Sequence, residues 1–280
     1  MAISQRRLLL GVVCLVLALA LLVGCSRTID EVSAAGSAPP RPAAAPPDGS
    51  TRPGDCMSAT RLDVVDCALP HELEAFHVAQ LPNDFPDAYP TAATLLPRFE
   101  PQCRARLLDY LGSPDVDASR LREYVYWPSL QGWNDGQRWA LCAVGEAGAD
   151  DQPLPRTGTL SAALRDGLGQ FQACSKDPPS AAALRVVPCF EPHRGEAIPG
   201  GVLVLGAPSE PPVTAERANA AADPYCRRAA AAFLGGSGVR PGVRYSWRYP
   251  LPESWPNGYT AVVCYLETDA PVMGSLREPP

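Results

Sequence analysis

Two of the chain's three histidines stand in the same setting. His71 begins Pro70-His71-Glu72-Leu73-Glu74 and His193 begins Pro192-His193-Arg194-Gly195-Glu196, so each belongs to a Pro-His-x2-Glu block. An imidazole beside a carboxylate is the pair that acid–base catalysis uses, because histidine titrates near neutrality and the carboxylate can orient it. On an extended chain, however, residues i and i+3 point to opposite faces. His71 with Glu74, and His193 with Glu196, are therefore expected to be structural, each histidine holding a strand end through backbone hydrogen bonds. No serine or second carboxylate recurs beside either block, so a nucleophile is missing from the pattern. Catalytic residues are accordingly expected to be none. The competing reading is a cell-wall hydrolase that uses His71 and Glu74.

A cysteine stands four positions before each histidine, as Cys67 and Cys189. This offers two metal ligands per block. A structural zinc site takes four, with thiolate sulfurs, and an oxidising compartment competes for those sulfurs. The same competition disfavours a Cys–His nucleophile. No metal and no cofactor is expected. The chain has ten cysteines; apart from Cys14 and Cys25 they form two sets of four, Cys56, Cys67, Cys103, Cys142 and Cys174, Cys189, Cys226, Cys264. Even sets in an exported chain imply disulfides, and four cysteines allow three pairings that spacing alone does not separate. The preferred pairing is Cys56–Cys67 and Cys174–Cys189 across an opening hairpin, where strand neighbours lie near disulfide distance. Cys103–Cys142 and Cys226–Cys264 would then tie a helix to a final strand.

The blocks belong to a larger duplication. Val64 to Ala75 and Val186 to Ala197 both read V-V-x-C-x2-P-H-x2-E-A, 122 positions apart. Cys103-x6-Tyr110-Leu111-Gly112 is answered by Cys226-x6-Phe233-Leu234-Gly235, and Trp133-x2-Gly136-x5-Cys142 by Trp255-x2-Gly258-x5-Cys264. Thr157-Gly158-Thr159-Leu160 is echoed by Met273-Gly274-Ser275-Leu276. Three long motifs in one order mark a tandem repeat. Residues 53–165 form the first copy and 168–280 the second.

The elements that must position the motifs follow from local pattern. The β-branched pair Val64-Val65 suits a strand, with a hairpin turning near Leu62. Glu74 to Leu81 continues extended. Prolines argue against regular structure in Leu81 to Pro97 and Ile198 to Pro212. Phe99, Cys103, Leu107, Tyr110 and Leu111 fall at helical spacing with Gly112 as the stop. Glu123 to Trp127, Arg138 to Val144 and their counterparts Tyr245 to Tyr249 and Thr260 to Glu267 read as strands. Each repeat is thus α+β, a small disulfide-stapled antiparallel sheet with one covering helix. Trp127 and Trp133 have aromatic counterparts in the second copy and are expected in the core. Tyr124 and Tyr126 align with Ser246 and Arg248, which makes them candidates for a surface specific to the first repeat.

Residues 1–24 have the layout of an export signal: Arg6 and Arg7, an uncharged apolar run from Leu8 to Val23, and a small residue before Cys25. The ending resembles a bacterial lipobox, which implies cleavage and acylation (palmitate or a similar chain) at Cys25. The run is short for a membrane span. Residues 25–52, rich in Ala and Pro, read as a tether. The whole chain carries a formal net charge of −6, and acidic character without a basic patch excludes nucleic acid as a partner.

Gly54-Asp55-Cys56, the V-V-x-C-x2-P-H-x2-E block, the helix cysteine, the Trp-x2-Gly before the last cysteine and the Gly-Thr/Ser-Leu tail resemble the septum formation family of high-GC Gram-positive bacteria. The second copy departs at its start, where Ala173-Cys174 replaces Asp-Cys. The resemblance implies a role in the cell envelope or at the division septum and brings no catalytic residues with it. Taken together, these features lead to the expectation of a non-catalytic lipoprotein on the outer face of the cytoplasmic membrane. It would bind an envelope protein or a cell-wall component.

Overall fold

The computed structural model describes residues 51–277 apart from 83, 86, 149, 150, 237, 238 and 240. Cys25, the expected export signal and the expected tether up to residue 50 lie outside the described residues.

The first sheet is built from β1 (Cys56–Met57), β2 (Val64–Val65), β3 (Leu73–Gln80), β4 (Leu121–Tyr126) and β5 (Trp139–Glu146), in the order β2-β1-β3-β5-β4. Cys56 pairs with Val65 and Met57 with Val64, and the hairpin between them turns through Leu62 at a φ of 59°. The second sheet repeats this with β6 (Ala173–Ser175), β7 (Val186–Pro188), β8 (His193–Val204), β9 (Val243–Arg248) and β10 (Ala261–Val272), in the order β7-β6-β8-β10-β9. Both are antiparallel throughout. The architecture is α+β, duplicated.

Helix α1 (Ala92–Leu111) follows β3, and the short α2 (Leu130–Asn134) follows β4. Helix α3 (Ala215–Phe233) is the second repeat's counterpart of α1. Gly112 closes α1 in the left-handed region at a φ of 77°, its N–H donating to the Leu108 carbonyl. The helix begins at Ala92, earlier than its prolines suggest, and carries Pro97 and Pro101 inside it. A mid-helix proline costs about 3 kcal/mol. Burying Leu95 and Phe99 on the same stretch returns about 1.5–3 kcal/mol each, so packing overrides the local preference. Pro199 likewise lies inside β8, not in a loop. It falls where the register with β10 shifts, between Ala197 and Val202, and there the ladder asks no donor of it.

Four disulfides join Cys56 to Cys67, Cys103 to Cys142, Cys174 to Cys189 and Cys226 to Cys264, with Cα separations of 5.2, 5.7, 5.0 and 5.2 Å. Two cross the opening hairpins and two fasten α1 and α3 to β5 and β10.

The repeats share one core. Residues of α1 (Leu95, Phe99, Leu107, Leu111) pack with the inner face of the first sheet and, through Leu160, Leu164, Leu168 and Phe171, with Ala197, Val263 and Tyr265 of the second. The other face of the second sheet (Ile198, Val262, Cys264, Leu266) is covered by Ala222, Cys226 and Ala230 of α3. The stretch between the repeats is therefore core, not linker. Ser119 bridges Gln172 in antiparallel fashion, and the Arg120 N–H donates to the Phe171 carbonyl at 2.7 Å.

Trp127 and Trp133 are buried. Tyr124 and Tyr126 are buried as well, at 4% and 5% exposure, which overturns their reading as a surface. They lie on the outer face of the first sheet with Leu141 and Ala143, and Met57 and Leu62 close over them. Their counterparts Ser246 and Arg248 lie beneath another loop, where Arg248 donates to the Pro179 and Ala181 carbonyls.

Candidate functional site

His71 stands just before β3. Its backbone exchanges two hydrogen bonds with Arg156, at 2.9 and 2.8 Å, and its ring Nδ1 lies 2.8 Å from the Leu69 carbonyl. A carbonyl only accepts, so Nδ1 carries the proton and donates. His193 repeats the arrangement on the Glu191 carbonyl, also at 2.8 Å. Both rings are buried, with Nε2 making no hydrogen bond within the described residues.

The carboxylates are fully committed. Glu74 accepts the Thr159 hydroxyl at 2.6 Å, the Leu160 N–H at 2.5 Å and the Tyr110 hydroxyl. Glu196 accepts the Ser275 hydroxyl at 2.8 Å, the Leu276 N–H at 2.6 Å and the Gln172 side-chain amide at 3.0 Å. Each glutamate thus clamps the Gly-Thr/Ser-Leu tail of its own repeat onto the sheet. The tail glycine adds a bond, from Gly158 to the Cys67 carbonyl at 2.6 Å and from Gly274 to that of Cys189 at 3.0 Å. The third donor differs between copies for a readable reason: the second repeat has Phe233 where the first has Tyr110, and Gln172 supplies the bond that phenylalanine lacks.

Burial pushes the Tyr110 phenol up, and its bond to Glu74 pushes it further. Burial also raises Glu196, against the lowering effect of Leu276, Ser275, His193 and Gln172.

The i, i+3 argument for opposite faces does not hold at this point in the chain. A bend at Glu72 separates His71 from β3, and a ring nitrogen of His71, a carboxylate oxygen of Glu74 and the Cys56 sulfur lie within 4.8 Å of one another. The set is nonetheless not arranged for a metal. The sulfur is bonded to Cys67, and both carboxylate oxygens already take donors. Nor does it open to substrate, since His71 is 1% and Glu74 0% exposed. Two surface grooves lie elsewhere. One of about 330 Å³ is walled by Arg120, Glu146, Gln170, Gln172, Cys189 and Phe190. The other, of about 100 Å³, lies between β3 and α1 beside Phe85 and Arg98.

The Trp-x2-Gly motifs also act inside the fold. The indole N–H of Trp133 donates to the Asp87 carbonyl at 2.7 Å and that of Trp255 to Ala207 at 3.0 Å, pinning the loop that leads into each long helix. Gly258, at a φ of 98°, lies so close to α1 that a Cβ there would meet the Arg104 side chain at 3.0 Å. The tail partners Thr159, Leu160, Ser275 and Leu276 were signalled only by the echo between copies, which says that they matter without saying to what they bond.

No helix among the described residues is long and apolar enough to cross a membrane. No curated protein and no solved structure matches the chain. The family model described as "Septum formation" matches residues 40–116 and again 98–264, the second match running from α1 of the first repeat to β10 of the second. With these motifs in these roles, the chain belongs to the septum formation family.

Proposed function

We propose that the chain is a non-catalytic binding or scaffold module of the cell envelope, acting in septum biology and held to the outer face of the cytoplasmic membrane through a lipid on Cys25. The observation that carries this reading is the use made of the recurring polar blocks. The histidines and glutamates that could have done chemistry are buried, and both carboxylates are spent on clamping the repeat tails. What the molecule offers outward is shape and surface, including the groove beside Phe190, whose ring is 72% exposed. The export signal and tether support placement outside the membrane, and the disulfides suit an oxidising compartment.

The anchor is tested by labelling cells with a tagged fatty acid. The full chain should take up label and C25A should not, remaining unprocessed. Catalysis is tested by incubating the purified protein with isolated cell wall. No soluble fragments should appear, and fragment release that a folded E74Q variant loses would instead support a hydrolase.

A further inference from the structure

The junction between the repeats buries an uneven set of charges. Glu100 and Arg104 come from α1, Asp117 from the turn Pro114–Ala118, Glu123 from β4, and Tyr259 from the approach to β10 in the second repeat. Arg104 pairs with Asp117 at 2.6 Å and lies 4.0 Å from Glu123, with its guanidinium 4.5 Å from the centroid of the Tyr259 ring. The Tyr259 hydroxyl lies 3.2 Å from Glu100 Oε1 and 3.1 Å from Glu123 Oε1. Both carboxyl side chains are sealed from solvent: Glu100 is 0% and Glu123 1% exposed. The nearby Pro252–Asn257 turn brings no buried charge, since its Glu253 is exposed.

Proton counting follows. A phenol has one proton to donate, so of its two carboxyl contacts only one can be an O–H donated by tyrosine. The other is a hydrogen bond only when the carboxyl itself is the donor. Arg104 cannot balance two further anions, because its one charge is already matched by Asp117 at the shorter distance. Two ionised carboxylates sharing a dry site repel, and one keeps a proton. We propose that a single proton held between Glu100 and Glu123, bridged by Tyr259, locks the second repeat onto the first, and that its loss with rising pH loosens the junction. Burial and the neighbouring Glu100 push Glu123 well above the ordinary carboxylate range, against the pull of Arg104. Burial alone would lower Arg104, but Asp117, Glu123 and Tyr259 more than offset it and keep the guanidinium charged.

The second repeat supplies a contrast. Asp223, Arg227 and Tyr245 occupy the positions of Glu100, Arg104 and Glu123, and there the Tyr245 hydroxyl donates to Asp223 at 2.9 Å in an open setting. Arg227 and Asp223 are 63% and 47% exposed, so the pair there stays in contact with solvent. The buried pair is therefore a property of the junction, not of the repeat. The groove of about 330 Å³ also draws its walls from both repeats: Arg120 and Glu146 from one, Cys189 and Phe190 from the other.

The sign is fixed by the direction of the shift. A carboxyl raised in the folded state contributes fully below its unfolded pKa, and the contribution is lost as pH rises through the folded value. The full chain in detergent would be melted from acid to alkaline pH as wild type, E100Q and E123Q. The wild type should lose Tm relative to either glutamine variant as pH rises, since an amide donates the same bond without titrating. Infrared difference spectra at neutral pH provide an independent reading: the protonated-carboxyl stretch should be present in wild type and lost in each variant. Parallel Tm–pH profiles, no such band in the wild type, or glutamine variants that fold at no pH would each overturn the lock. The last would mean that ionised groups are required at both positions.

Discussion

At the scale of the residue, the most consequential groups are the two glutamates of the Pro-His-x2-Glu blocks. A carboxylate that gathers three donors in a buried site cannot be removed quietly, because each donor left behind costs about 1–3 kcal/mol. E74A should therefore destabilise the chain by about 3 kcal/mol or more in urea unfolding, through the lost partners of Tyr110, Thr159 and Leu160. Y110F removes one hydroxyl and leaves Glu74 its bonds from Thr159 and Leu160, so its cost should be nearer the 0.5–1.5 kcal/mol of a single bond. The reciprocal change F233Y should gain little, since Gln172 already fills that place on Glu196. Equal losses for E74A and Y110F would show that the tail clamp contributes nothing. The histidines sit beneath this clamp. Their Nδ1 bonds to the carbonyl two residues back hold the entry into β3 and β8.

At the scale of the element, the disulfides divide by the length of chain they close. Cys56–Cys67 spans 11 residues, and Cys103–Cys142 spans 39. In the chain-entropy account the longer loop stabilises by about 1 kcal/mol more. Replacing Cys103 and Cys142 together by alanine should cost correspondingly more than replacing Cys56 and Cys67, as read from the urea midpoints of the two double variants. Equal costs would point to the local packing of each bridge. The strands, the hairpin at Leu62 and the stop at Gly112 were legible because β-branched runs, helical spacing and glycine each act within a few residues. The helical turns through Pro97 and the strand through Pro199 were not, because there burial and a register shift override what proline prefers locally. The clamp was hidden for a related reason. Glu74 and Leu160 are 86 positions apart, and a pairing made by folding leaves no local trace. The burial of Tyr124 and Tyr126 was equally out of reach, since the loops that cover the two sheets differ in sequence between the copies.

At the scale of the whole molecule, duplication of sequence has not produced two independent bodies. The core that begins under α1 continues through Leu160, Leu164 and Leu168 to Val263 and Tyr265, so unfolding one repeat strips apolar surface from the other. A modular chain would lose only the repeat that carries a damaging substitution. Here the expectation is a single cooperative transition that any core change lowers as a unit. Leu164 tests this well: it is 1% exposed, it belongs to neither sheet, and it touches the shared core where the repeats meet. L164A should cost about 2–5 kcal/mol, the range for emptying a leucine-sized site. The decisive reading is which probes move. Fluorescence of Trp133 reports the first repeat and that of Trp255 the second, and each can be isolated by replacing the other tryptophans. Both signals should melt together in the wild type and shift together in L164A. If L164A instead separated the melt into two steps, the repeats would be coupled domains, and the core between them would be an interface.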